Sequence, residues 1–242
     1  IATALRATGH EFSEPNGFEE ELLGRVHTPE YVNFLATAWE RWVERGESGA
    51  AAMGFTWPTR GMRPTRPHDL IGQLGYHSFA ADCSITAGTW PAVREAAAIA
   101  VTSADLMAQH GDTTYGLCRP PGHHATTDQF GGYCYLNNAA IAAQRLLDGG
   151  ASCVAILDVD YHHGNGTQNS FYRNPDLFYG SCHQAPFYPG TGARHEAGVA
   201  GNVLFTLIIH LWYVCVVVWE SFSNAWGIVL LMFLCGARLS TA

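Results

Sequence analysis

Residues 154–168 read Val-Ala-Ile-Leu-Asp-Val-Asp-Tyr-His-His-Gly-Asn-Gly-Thr-Gln and follow a Gly149-Gly150 break. Four apolar residues after such a break fit a short strand buried on both faces of a parallel sheet. Its exit is ionic: Asp158, Asp160 and His162 alternate, so on an extended segment they point to one side. In open parallel α/β sheets ligands bind beyond the carboxyl ends of the strands, which is where these three fall. Two carboxylates at a buried strand end repel unless a cation holds them, so the pattern predicts a metal site rather than a pair of helix caps beside a solvated His-His loop. Gly164 and Gly166 allow a tight turn into a helix expected to begin at Thr167.

The remaining composition narrows the chemistry. Of 242 residues 48% are hydrophobic and 14% charged, enough apolar material for one α/β domain with a substantial core. The net charge is −8, and all thirteen basic residues are arginine. A negative chain without basic clusters argues against nucleic-acid binding and suits a cationic small substrate or a basic peptide. The seven cysteines are odd in number and form no C-x-x-C pair, so they are expected to be free thiols of a reducing compartment, which makes the chain cytoplasmic. The N-terminus has neither methionine nor a signal-peptide pattern, and the chain is expected to begin inside a longer reading frame.

Taken in order, Thr28-Pro29-Glu30 opens a helix whose Tyr31, Phe34, Leu35, Ala38, Trp39 and Trp42 recur at helical spacing and which ends near Gly46. Residues 46–70, rich in glycine and proline, predict a long loop at a site entrance. An alanine-rich helix over 91–110, with Thr89 as candidate cap, stops at Gly111. Residues 114–118 predict a strand that delivers His123 and His124 to the same rim as Asp158. Asn137 and Asn138 cap a helix over 139–147, so 114–158 reads as a β-α-β unit. Another strand is predicted over 177–182. Strands alternating with helices, and polar residues at the strand exits, make the class α/β. After residue 203 the composition changes. Only Glu220 and Arg238 are charged, and 204–218 and 225–235 are almost wholly apolar.

Three segments together, Arg119-Pro-Pro-Gly-His-His-Ala, Gly131-Gly-Tyr-Cys-Tyr-Leu-Asn-Asn-Ala and Asp158-Val-Asp-Tyr-His-His-Gly-Asn-Gly-Thr-Gln, resemble the zinc-dependent histone deacetylase and acetylpolyamine amidohydrolase family. Val26-His-Thr-Pro-Glu-Tyr, Ile85-Thr-Ala-Gly-Thr-Trp and Tyr188-Pro-Gly-Thr-Gly are similar to it as well, so the resemblance covers about residues 1–203. It implies the three-layer arginase/deacetylase-like α/β fold with a mainly parallel sheet, its back half missing or replaced here. It also implies hydrolysis of acetyl-lysine or acetylpolyamine amides by zinc-activated water.

Carried over by motif, Asp160 and His162 resemble two zinc ligands. Asp158 and Ser181 resemble contributors to a structural potassium site, with Asp158 also orienting His123. His123 and His124 resemble the catalytic pair, with Asn165 orienting the second, and a near-neutral His124 would suit a general base. Gly132, Tyr133 and Tyr188 resemble the walls of the acyl tunnel. The family's remaining zinc-binding aspartate and its oxyanion-stabilising tyrosine belong to later motifs. Here no aspartate follows Asp176, and Tyr213 lacks the glycine-rich setting. Residues 204–242 therefore read as an apolar, non-family tail from a frameshift, an unspliced segment or a truncation. The chain is expected to be a weakly active form of the enzyme. The alternative is a non-catalytic protein associated with a membrane through residues 204–235.

Overall fold

The computed structural model describes residues 1–207 apart from 48, 60, 62, 112 and 200. The greater part of the expected apolar tail, with its membrane association, lies outside the described residues. Among the described residues no helix is long and apolar enough to cross a membrane.

The sheet has three parallel strands in the order β1 (Val154–Asp158), β2 (Leu177–His183) and β3 (Val203–Leu207). Val154 pairs with Leu177 and Asp158 with Ser181, so the ionic exit of β1 lies beside the exit of β2. Ser181 in turn pairs with Phe205. The sheet runs on across the point where the composition changes.

Helices pack on this frame for reasons visible in their sequences; two further helices, α1 (Ala2–Ala7) and α3 (Leu70–Tyr76), are short. Helix α2 (Pro29–Glu44) starts at Thr28, whose side chain accepts from the Tyr31 amide, with proline in the first turn. Tyr31, Phe34, Leu35, Ala38 and Trp42 form its buried stripe. Helix α4 (Thr89–His110) buries small residues, among them Ala96, Ala97, Ala100 and Ala104, and so lies close against α5 (Asn138–Asp148). Helix α5, buried along almost its whole first half, also packs on β1 and on the 3-10 turn Glu20–Arg25. Gly111 ends α4 in the left-handed conformation at φ 71, where a side chain would be strained.

Three expectations need correction. The helix expected to begin at Thr167 starts at Asn165, with Gly166 inside its first turn. Helix α4 begins two residues before the expected start and its cap position is Gly88; the Thr89 hydroxyl instead accepts from the Thr86 amide at 2.9 Å. Residues 114–118 form no strand. Thr114 donates to the Ser103 carbonyl at 2.9 Å and the Cys118 thiol lies 3.3 Å from the Ala96 carbonyl, so the segment is tied to α4 through side chains rather than to β1 through a ladder. The β-α-β unit is instead β1, α6 (Asn165–Phe171) and β2.

One side chain joins α6 to the starts of β2 and β3. The Asn202 amide nitrogen lies 3.0, 2.9 and 3.1 Å from the carbonyl oxygens of Phe171, Asn174 and Leu177, while the Asn202 carbonyl accepts from the Tyr179 amide at 2.8 Å. Asn202→Asp puts a carboxylate among three carbonyls. The expected outcome is a loss of about 3 kcal/mol or more, read from the urea midpoint at constant slope. An unchanged midpoint would show that this junction contributes nothing.

Candidate active site

The site is built on the exit of β1. Asp158 is its anchor: one carboxylate oxygen lies 3.0 Å from His123 Nδ1 and accepts from the Tyr179 hydroxyl at 2.9 Å, while the other accepts from the Asp160 amide at 3.1 Å. Burial alone would raise the Asp158 carboxyl, but His123 and these donors outweigh it and hold the group well below the usual range. Burial likewise opposes a charge on His123. The Asp158 carboxylate overrides it, and His123 titrates above the ordinary imidazole value.

His124 lies beside His123 with ring centroids 4.0 Å apart and the planes tilted by 45°, and its Nδ1 lies 2.8 Å from the Asn165 side-chain oxygen. A carbonyl oxygen accepts only, so Nδ1 carries the hydrogen and Nε2 keeps its lone pair. The near-neutral value expected for His124 does not hold. Burial, then the neighbouring His123 and His162, pull it down to about 3, against the Asn165 bond. The sequence showed the residue but not the field around it.

Asp160 and His162 meet as expected at the strand exit. His162 donates its amide to Asp160 Oδ1 at 2.8 Å, and its Nδ1 lies 3.4 Å from the same oxygen. His123 Nε2 is 3.9 Å from it, so the histidine pair and the carboxylate face a common space. A catalytic zinc site takes three protein ligands and keeps one position open. The described residues bring together two with that donor chemistry, and among them no three His, Cys, Asp or Glu side chains are grouped so that they could hold a metal ion. The set fits an incomplete centre.

The residues expected to wall an acyl tunnel lie around these histidines. The Tyr188 ring meets His124 and His162 edge-on at 5.3 and 5.7 Å. Tyr133 stands exposed on the rim at φ 64, a strained value for a tyrosine. Beside it Gly132 has φ 57, and a Cβ there would lie 2.2 Å from His124 Cδ2, so glycine is what lets this turn lie on the ring. Ser181 sits opposite Asp158 in register, and its hydroxyl lies 2.9 Å from His183 Nδ1.

Sequence reasoning missed several participants. Tyr179 reads as an ordinary strand aromatic, although it points at Asp158. Asp82 and Cys83 accept from the amides of Gly132 and Tyr133 at 3.1 and 2.9 Å and hold the strained turn. His163 Nδ1 is 2.8 Å from the Thr191 hydroxyl, and its ring is 4.7 Å from that of His183. The His162-His163 tandem was the available signal for the last of these.

This arrangement has parallels among known proteins. Over 191 residues, 75% of this chain and 56% of the relative, the sequence is 51% identical to an acetylpolyamine amidohydrolase of Mycoplana ramosa. It is 49% identical to acetylpolyamine amidohydrolase 2 of Pseudomonas aeruginosa, over 85% of this chain and 61% of that one. The chain thus spans little more than half the length of these curated relatives. A crystal structure of acetylpolyamine aminohydrolase from Burkholderia pseudomallei superimposes with a TM-score of 0.80 at 36% identity, over 86% of this chain and 61% of that chain. An HDAC homolog from Aquifex aeolicus shares the fold at a TM-score of 0.62 and 22% identity, over 81% of this chain and 47% of that one. These neighbours have the arginase/deacetylase-like α/β fold, and the parallel sheet with its ionic exit matches it. The model of the histone deacetylase domain matches residues 1–215, and with the tandem histidines and the Asp-x-Asp-x-His strand end inside that span, the chain belongs to the histone deacetylase domain family.

Proposed function

We propose that this chain carries the histidine machinery of a metal-dependent amidohydrolase that removes acetyl groups from small cationic amines, acetylated polyamines before acetyl-lysine. One observation carries the reading. Two adjacent, buried histidines each have their own orienting partner, Asp158 for His123 and Asn165 for His124, with Asp160 near the first and His162 near the second. A net charge of −8 without a single lysine favours a cationic substrate, as do relatives named acetylpolyamine amidohydrolases.

In this reading His124, uncharged through the neutral range, accepts a proton at Nε2 from the attacking water. Its low value keeps it in the accepting form while making it a weak base. His123, whose charged form Asp158 favours, stabilises negative charge developing on the acyl oxygen. Tyr188, Gly132 and Tyr133 line the approach. Asp160 and His162 would hold two corners of the zinc, which supplies carbonyl polarisation when bound. That ligand set is incomplete among the described residues. A structural potassium ion beside Asp158 and Ser181 belongs to the same proposal, supported by their pairing in register at this rim.

Elemental analysis of purified variants tests the metal assignment. Asp160→Ala and His162→Ala are each expected to lose most bound zinc. Asp158→Ala strands His123 and the Tyr179 hydroxyl and should cost about 3–5 kcal/mol in stability instead. Unchanged zinc in Asp160→Ala would remove that residue from the site.

A further inference from the structure

The loop that carries the histidine pair is held from outside by a residue the reaction does not use. His27, in the segment before α2, is only 2% exposed. Its Nδ1 lies 2.8 Å from the Thr126 carbonyl oxygen, and its Nε2 lies 3.0 Å from the Asn137 amide nitrogen. The carbonyl can only accept and the amide can only donate, so the ring must carry hydrogen on Nδ1 and a lone pair on Nε2. One neutral tautomer satisfies both contacts.

The surroundings show what this bridge holds. Three consecutive carbonyls follow His124, and each is taken by a different donor: Ala125 by the Asn137 side chain at 3.2 Å, Thr126 by His27, and Thr127 by the Thr28 amide at 2.8 Å. On the other side the His123 carbonyl accepts from the amides of Gly166 and Thr167 at 2.9 and 3.1 Å. Asn137 also caps α5 by accepting from the Ala140 amide at 3.0 Å. His27 therefore joins the histidine loop to the start of α5, through a contact that needs a donor and an acceptor about one ring width apart. Lysine and arginine offer donors only, and a carboxylate offers acceptors only. Among other side chains the glutamine amide comes nearest.

We propose that His27 is a positioning residue: by bridging Thr126 and Asn137 it fixes the backbone that aims His124 at Asn165 and at the space facing Asp160. This role rests on His123 and His124 being the reacting pair, whereas the bridge itself and its test do not require turnover.

The experiment uses the full chain with His27→Gln and His27→Phe. Amide exchange is followed at Ala125, whose N–H donates to the Gly122 carbonyl at 3.0 Å, and at Asn137. The His124 Nδ1 proton bonded to Asn165 is followed by NMR. His27→Phe keeps the apolar bulk and should speed exchange at both amides roughly tenfold, about the factor of one net hydrogen bond, and should broaden the His124 signal. Amides of β1 and β2 should keep their wild-type rates. His27→Gln supplies donor and acceptor together and should restore both readouts. The proposal is overturned if His27→Phe leaves the Ala125 and His124 readouts unchanged, if it speeds β1 and β2 equally, or if His27→Gln behaves like His27→Phe. Unchanged zinc in Asp160→Ala would count against the deacetylase reading and leave these outcomes as they are.

Discussion

Supplied with zinc, the 242-residue polypeptide is expected to release acetate from acetylputrescine at least about a hundredfold more slowly than the roughly ten turnovers per second of a typical enzyme. Catalytic zinc needs three protein ligands. Asp160 and His162 supply two, and the sequence holds no aspartate after Asp176 to complete an Asp-His-Asp set. The family resemblance also places the oxyanion-stabilising tyrosine in a glycine-rich setting that Tyr213 lacks. Loss of one such donor typically costs about a hundredfold to a thousandfold in rate, and incomplete coordination lowers metal occupancy as well. His124 adds to the deficit, because a group pulled down to about 3 is a weak base at neutral pH. Acetate release from acetylputrescine and acetyl-lysine, with His124→Ala as control, measures this. Turnover near the typical value that disappears in the control would mean that the chain holds a third ligand and a donor unrecognised here.

Acidification is expected to unfold the domain with a midpoint between about pH 6.5 and 4. His27, His124 and His163 are buried and titrate at about 4, 3 and 4 in the folded chain. For His27 and His124 burial is the main cause; for His163 burial is joined by the nearby His183. In the unfolded chain each binds its proton near the ordinary 6.5. Between these values the unfolded state holds more protons, so stability is full above 6.5 and is lost as pH falls towards the folded values. His27 alone accounts for roughly 3 kcal/mol at most. His123 runs the other way: its stabilisation is present below 6.5 and lost as pH rises through its raised folded value. The Asp158 contribution is full above its unfolded value of about 4 and is lost as pH falls from there through about 2, below this window. Burial lowers His77 and His183 as well, so five histidines against one set the sign. Circular dichroism across pH 8 to 3 checks it, and His27→Gln should move the midpoint to lower pH. A chain still fully native at pH 3.5 would show that these histidines are not held neutral.

How far the sequence reached is visible in particular residues. It placed Asp158, Asp160, His162, His123, His124 and Asn165 at one rim, and the structure brings them together. It located α2, α5, β1 and β2 within a residue or so, since caps and periodicity are local signals. It failed at residues 114–118, where strand-like composition met no ladder partner. It also failed at Thr89, where a good capping residue found the Thr86 amide instead of the helix start.

The sequence by itself determined the chemical alphabet of the site and its place at a strand exit, because alternation along a strand and glycine in a tight turn are properties of a few adjacent residues. Tertiary structure alone decided which group each side chain answers to. Tyr179 reaches Asp158 across 21 positions and His27 reaches Thr126 across 99, distances along the chain that no local pattern encodes. It also decided the charge states. His123 and His124 are neighbours of identical chemistry, yet one is raised by Asp158 and the other is pushed down to about 3 by burial and by its neighbour. Desolvation and the field of a fixed carboxylate exist only once the chain has folded around them.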